Sequence, residues 1–255
     1  MPRRYQRPPV IEALCEFRFK AGQPWDWTIP GLMWDRIRND FPTKQSKTLL
    51  GPEQPKLSEI PAALVPGVSE LGQSVTRMAF LAEAGTPVVQ VGPDLLSVNA
   101  LRPYPGWETF LALTLRQLEV YRSVVQPEGL ERVGLRYINR VDLPGAELNL
   151  GEFLRTGPAV PPGVRGTLTG FLSVADLAVE GSGLNLRFTL SSAKSDQPDG
   201  SSFIVDLDGS AAGLAAPPFQ DVGAWLDQAH ETMESAFDST FADRAHREIF
   251  GEIVD

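Results

Sequence analysis

The chain has 255 residues, of which 42% are hydrophobic and 22% charged, with a formal net charge of −9 at pH 7. This composition excludes wholesale disorder and supplies a sizeable core for one large domain or two small ones. The acidic balance argues against non-specific attraction to nucleic acid or anionic membranes, although it is compatible with a local basic groove. The single cysteine, Cys15, allows no intrachain disulfide and fits a reducing compartment.

The first ten residues, MPRRYQRPPV, are basic but lack the apolar core of a secretory signal. No apolar run approaches the roughly 20 residues needed to span a bilayer. We therefore expect a cytoplasmic protein without membrane association.

The first half of the chain, residues 1–128, is predicted to form a strand, a helix, three strands and a long helix. Residues 10–20 alternate, with Ala13, Cys15, Phe17 and Phe19 on the apolar face. Apolar residues then recur every fourth position over 29–41, which predicts a helix with Thr28 as its N-cap. Strands are predicted at 76–83, 88–91 and 95–99, followed by a helix over 107–125. Between the first helix and the strand at 76–83, residues 43–74 contain four prolines and three glycines, and they are predicted to be a long surface loop.

The second half, residues 129–255, opens with the longest strict alternation in the chain, over residues 132–144. One face carries mostly apolar side chains, whereas the other carries Arg132, Arg136 and Arg140. A short helix is predicted at 150–155, strands at 167–179, 184–193 and 201–208, and a long C-terminal helix from 222, with a break at 239–240.

The two halves repeat the same order of elements, and their first strands align with an offset of 120 residues. Glu12 then matches Arg132, and Glu16 matches Arg136. We therefore predict an α+β fold with duplicated β-α-β-β-β-α halves, joined into one structural unit by one extended antiparallel sheet. The long helices are expected on one face, and the other face is expected to be open or partly covered by loops.

Several short motifs carry a resemblance to a known family. These are Tyr5-x-x-Pro8-Pro9-Val10-Ile11-Glu12-Ala13, the segment YPGW at 104–107, LRYINR at 135–140, and His230 followed by Phe237. Together they resemble a sporadically distributed, uncharacterised prokaryotic protein family of about this length. The resemblance implies no catalytic residue, and its patchy distribution implies a mobile or defence-associated system. The duplicated order of elements is also similar in outline to the saddle of TATA-binding proteins, and this likeness of fold implies no function.

The arginine stripe of Arg132, Arg136 and Arg140 is the main candidate site. Guanidinium groups on one strand face can grip phosphate or carboxylate groups of a ligand or partner, with Glu12 and Glu16 nearby. The alternative is an ion-pair ladder with Glu12 and Glu16, or with Asp206 and Asp208, and the usual pairing of opposite charges on neighbouring strands favours it.

Other candidate chemistry is weak. Asp206 and Asp208 share a strand face and are weak candidates for binding a metal such as magnesium. His230 and His246, 16 positions apart, lack metal-pair spacing and are predicted to be solvated or capping residues, whereas Cys15 is predicted to be buried. No serine-nucleophile motif, P-loop or dinucleotide fingerprint occurs, so neither a catalytic residue nor a cofactor is predicted.

We therefore predict a non-enzymatic binding or adaptor protein with a protein partner. Two alternatives stay open. One is a nucleic-acid-binding or processing protein that uses the arginine stripe on the open sheet face. The other is a metal-dependent enzyme at Asp206 and Asp208. The core is predicted to bury seven residues on the apolar faces of their elements: Phe17, Phe19, Trp107, Leu135, Tyr137, Trp225 and Phe237.

Overall fold

The computed structural model describes residues 3–20, 25–49, 75–143, 150–158, 163, 168–196 and 200–253. In the first half the elements are β1 (Arg4–Tyr5), β2 (Val10–Phe19), α1 (Thr28–Ile37), β3 (Thr43–Leu49), β4 (Val75–Leu81), β5 (Val88–Gly92), β6 (Leu95–Leu101) and α2 (Trp107–Val125). In the second half they are β7 (Leu130–Leu143), β8 (Leu172–Ala178), β9 (Asn185–Ala193), β10 (Ser201–Ala212), α3 (Val222–Thr240) and β11 (Glu252–Ile253).

Nine strands form one antiparallel sheet in the order β3-β4-β5-β6-β2-β7-β10-β9-β8. The first strands of the two halves, β2 and β7, are neighbours at its centre. The predicted α+β fold, with one extended antiparallel sheet and the long helices on one face, is confirmed. A separate two-stranded sheet of β1 and β11 joins the two ends of the described chain.

The register at the centre of the sheet agrees with the offset used to align the two halves. Cys15 pairs with Leu135, Ala13 with Tyr137 and Phe17 with Val133. When each residue of β2 is replaced by its aligned residue in β7, 120 positions later, and each residue of β7 by its aligned residue in β2, the Ala13–Tyr137 pair becomes the Phe17–Val133 pair. The two strands are therefore related by a local twofold axis at the Cys15–Leu135 pair. The strand order is symmetric about the same point, apart from the additional outer strand β3. A common origin of the halves remains a prediction that this pairing supports.

The core lies between the apolar sheet face and the helices. Phe17, Phe19, Leu135, Tyr137, Trp225 and Phe237 are all buried, as is Cys15. Their burial confirms the assignment of faces by alternation along β2 and β7. Trp107 was expected with them but is only half-buried, because it lies in the first turn of α2. None of the described helices is both long enough and apolar enough to cross a membrane.

Three boundaries differ from the sequence prediction. Thr43–Leu49 forms strand β3 at the sheet edge rather than loop; its polar sequence TKQSKTL, with two lysines, suits an edge strand but shows no apolar alternation. The rest of the predicted loop, 50–74, lies outside the described residues. Thr28 is the first residue of α1 rather than its cap, and its backbone N–H donates to Oδ1 of Asp26. The predicted helix at 150–155 is a single 3₁₀ turn, Leu150–Glu152.

The break predicted in the C-terminal helical region agrees with the structure. Helix α3 ends at Thr240, where the break was expected, and a π-helical turn follows at Ala245–Phe250. The strand predicted at 167–179 is shorter in the structure, where β8 spans Leu172–Ala178.

Candidate functional site

The arginine stripe lies on the sheet face that carries no helix among the described residues. Strand alternation puts Tyr137 on the opposite face, where it contacts α3, and therefore turns Arg132, Arg136 and Arg140 away from the helices. We call this surface of β2, β7, β10, β9 and β8 the charged sheet face. The three arginine side chains are 22–31% exposed.

Arg136, at the middle of the stripe, forms a two-pronged ion pair with Asp206 of β10. Its Nε donates to Oδ1 over 2.8 Å, and its Nη2 donates to Oδ2 over 2.5 Å. The side chains are 31% and 18% exposed, so solvent screens this pair only in part. The hydrogen bond to Asp206 is the main reason that the pKa of Arg136 is raised above its ordinary value.

The two outer arginines are also paired with carboxylates. Arg132 lies 3.5 Å from Glu16 on one side and 3.6 Å from Asp208 on the other. Burial raises the pKa of Asp208, and the nearby arginines oppose that shift. The stripe therefore includes ion pairs across both neighbouring strands, β2 and β10.

Arg140 has several polar partners near one end of the stripe. Its Nε donates to Asp142, and its Nη2 donates to Asp196 and to the carbonyl oxygen of Lys194. All three arginines of the stripe therefore have carboxylate partners.

The two glutamates predicted beside the stripe have different partners. Glu16 contacts Arg132 and Arg18, whereas Glu12 accepts a 2.6 Å hydrogen bond from Asn99.

The aspartates proposed as a weak metal site take part in the same ion pairs. Both carboxylate oxygens of Asp206 accept hydrogen bonds from Arg136. No group of three or more histidine, cysteine, aspartate or glutamate side chains in the described part of the chain is placed to hold a metal ion. The arrangement of these residues therefore favours ion pairing over metal binding at Asp206 and Asp208.

We expect Arg136→Ala to lower the free energy of unfolding by about 1 to 3 kcal/mol, because it leaves the mostly buried carboxylate of Asp206 without its partner. A double-mutant cycle with Asp206→Ala should give a coupling energy of at least about 1 kcal/mol by urea unfolding. Arg187→Ala, which breaks a more exposed pair with Asp176, is the control and should change stability by less than about 1 kcal/mol. Additive effects of Arg136→Ala and Asp206→Ala would contradict the pairing.

A second cluster of polar groups lies on the helix side of the sheet. The hydroxyl of Tyr137 lies 3.1 Å from Nδ1 of His230 and 3.3 Å from the hydroxyl of Tyr104. The His230 ring stacks on Trp107 at 4.2 Å between centroids, and Nε1 of Trp107 donates to Asp227. Burial lowers the pKa of His230 to about 4, so the ring is neutral at pH 7. A neutral ring allows a chain in which Tyr104 donates to Tyr137 and Tyr137 donates to His230.

Next to this cluster, Tyr5, which lies near the beginning of the described chain, contacts residues near its end. The Tyr5 hydroxyl lies 2.8 Å from Oδ1 of Asp238 and 2.8 Å from Nδ1 of His246, and the His246 ring stacks on the Tyr5 ring. His246 is fully buried. The prediction that both histidines are solvated or capping residues is therefore wrong, because each packs against aromatic rings and contacts a tyrosine hydroxyl.

Residues of both clusters line a single cavity of about 140 Å³ between the sheet and α3. We call it the aromatic pocket; its lining includes Tyr5, Tyr104, Tyr137, His230, Glu234, Phe237 and Asp238. Sequence reasoning missed it because its lining residues come from five distant parts of the chain, at 3–10, 104, 137–139, 207 and 230–238. These parts include residues of all four motifs quoted above. The presence of a motif in four of the five parts was the one signal in the sequence that pointed to the pocket.

Comparisons with known proteins assign no family or activity to either surface. No protein-family model matches the chain, and no curated protein sequence is significantly similar to it. The resemblance drawn from the short motifs therefore remains a prediction.

Proposed function

We propose that the protein is a non-enzymatic binding or adaptor protein that docks a protein partner on the charged sheet face. The observation that carries this proposal is the arginine stripe itself. Three arginines lie partly exposed at mid-sheet, on a face without a helix among the described residues, and are held in place by carboxylates. Ordered charges lose little side-chain entropy on binding, so such a face is suited to recognition.

The charges of this face favour a protein partner over nucleic acid. On the described strands of the face, Arg18, Arg132, Arg136, Arg140 and Arg187 each contact a carboxylate. A phosphate backbone would have to displace these carboxylates, and the net charge of −9 would repel it. A protein surface that presents both signs can bind the same face without breaking the existing pairs.

The test is quantitative capture of partners from the native host on immobilised protein, with identification by mass spectrometry. A partner that binds the charged sheet face should be lost with Arg136→Ala and reduced with Arg136→Lys, because lysine lacks the planar fork. Arg116→Ala is the matched control, since it removes an exposed arginine that is ion-paired with Asp40 near the α1–α2 contact. The captured protein is then purified and its affinity for all three variants is measured.

Two results would overturn the proposal. One is a purified partner that binds wild type, Arg136→Ala and Arg116→Ala with the same affinity. The other is tight binding of a DNA or RNA oligonucleotide that weakens steeply with salt and depends on Arg136, since this would assign the face to nucleic acid instead. Thermal unfolding of every variant separates lost binding from lost folding.

A further inference from the structure

The aromatic pocket lies on the side of the sheet opposite to the charged sheet face and has the size of a small ligand group. The rings of Tyr5, Tyr104, Tyr137 and Phe237 contribute to its walls, and its volume is about 140 Å³. An apolar cavity of roughly this volume accepts a molecule the size of benzene. The pocket therefore has room for one compact group with an apolar body.

One carboxylate in this pocket has no partner in the described part of the chain. Glu234 is half-buried on α3, lines the pocket, and makes no hydrogen bond or ion pair with a described residue. Its neighbour Asp238 differs, because it accepts the hydrogen bond from Tyr5 and lies 3.9 Å from Arg3. Burial, followed by the charges of Asp238 and Glu231, raises the pKa of Glu234. The ionised side chain of Glu234 is therefore unfavourable in the folded protein and would be stabilised by a nearby positive charge.

The helix that carries Glu234 is acidic along its length. Helix α3 contains Asp227, Glu231, Glu234 and Asp238, and no lysine or arginine. The pairs 227/231 and 234/238 are spaced four residues apart, where like charges destabilise a helix by a few tenths of a kcal/mol.

Arg3 is the cation among the described lining residues, and it already forms ion pairs. Its Nη1 donates to both carboxylate oxygens of Glu252 over 2.9 Å. The field at the pocket therefore favours an incoming cation and disfavours an anion.

We propose that the aromatic pocket binds an organic cation, an alkylammonium or guanidinium group on an apolar body. Tyrosine and phenylalanine rings attract cations through their faces, and the carboxylate of Glu234 supplies the opposite charge. The same chemistry is offered by a free amine and by a lysine or arginine side chain of a peptide. This site is independent of the partner docking proposed above, because it lies on the other side of the sheet.

The first test compares ligands of equal shape by calorimetry with the purified full chain. Choline should bind, and its uncharged isostere 3,3-dimethylbutan-1-ol should bind at least about tenfold more weakly, because it lacks the charge. Short blocked peptides with a central arginine or lysine distinguish the sources: tighter binding than choline assigns the pocket to a protein side chain, and weaker binding assigns it to a free amine. Equal binding of choline and its isostere, or no binding of choline and both peptides, would overturn the proposal.

The second test removes the charge of Glu234 without changing its shape. Glu234→Gln should weaken binding of the preferred cation by about tenfold or more and should fold at least as stably as the wild type. Glu231→Gln is the control, because Glu231 is an exposed carboxylate of the same helix outside the pocket lining, and it should change affinity by less than about threefold. Equal affinities of wild type and Glu234→Gln would show that the cation binds elsewhere on the acidic surface.

Discussion

Phe17→Ala is expected to lower the free energy of unfolding by about 3 to 5 kcal/mol, the range for a large buried side chain truncated in a packed core. Phe17 has no exposed surface and stands at mid-sheet, opposite Leu96 on one neighbouring strand and Val133 on the other. Its ring centroid is 6.5 Å from that of Phe19. Truncation would leave a cavity that the rigid central strands cannot close.

Urea unfolding monitored by circular dichroism checks this expectation. Leu14→Ala, on the same strand but on the other, half-exposed face, is the control and should lower stability by only about 1 kcal/mol. Similar losses for Phe17→Ala and Leu14→Ala would contradict the assignment of β2 faces on which the whole fold depends.

Stability should also fall as the pH is lowered from about 6.5 to about 4, with His230 as a main cause. Burial holds the pKa of His230 at about 4 in the folded protein, against an ordinary value of 6.5. Within this window the unfolded chain takes up a proton that the folded protein does not. The free energy of unfolding therefore decreases with decreasing pH, by up to about 3 kcal/mol from this group, and below about pH 4 the decrease from His230 ends.

His230→Gln separates this contribution from that of the carboxylates, which also titrate at acid pH. Glutamine keeps a side-chain oxygen that can accept from Tyr137 but carries no titrating group. As the pH is lowered from 6.5 to 4, the wild type should lose more unfolding free energy than the variant. Any stability advantage of the wild type should therefore shrink, or reverse in favour of the variant. A pH-independent difference, or an NMR titration that places the His230 pKa near 6.5, would contradict the lowered pKa that follows from partial burial of this ring.

The periodic elements of this fold could be predicted from the sequence because their side chains report burial directly. Alternation along β2 and β7 predicted the buried positions of Cys15, Phe17 and Leu135, and these were confirmed. Strand β3 could not be found in this way, since an edge strand with polar residues on both faces shows no period. Its place beside β4 is fixed by backbone hydrogen bonds, which are independent of side-chain type.

The sequence could predict part of the arginine stripe but not the aromatic pocket. Arg132, Arg136 and Arg140 share a strand, so two-residue periodicity alone predicts their common face. The pairing of Arg136 with Asp206 and of Arg132 with Asp208 depends on β10 lying next to β7, a contact between residues about 70 positions apart. The aromatic pocket brings together five distant parts of the chain, and the spacing of residues within any one of them therefore carries no trace of it.

Site-specific photocrosslinking tests the central claim, docking on the charged sheet face, most directly. A benzoylphenylalanine at Ile138 places the probe on this face between Arg136 and Arg140, and the same probe at Arg116 lies on the helix side. With the purified partner, we predict an efficient crosslink from position 138 and none above background from position 116. Crosslinking from position 116 alone would place the partner on the helices and contradict the account.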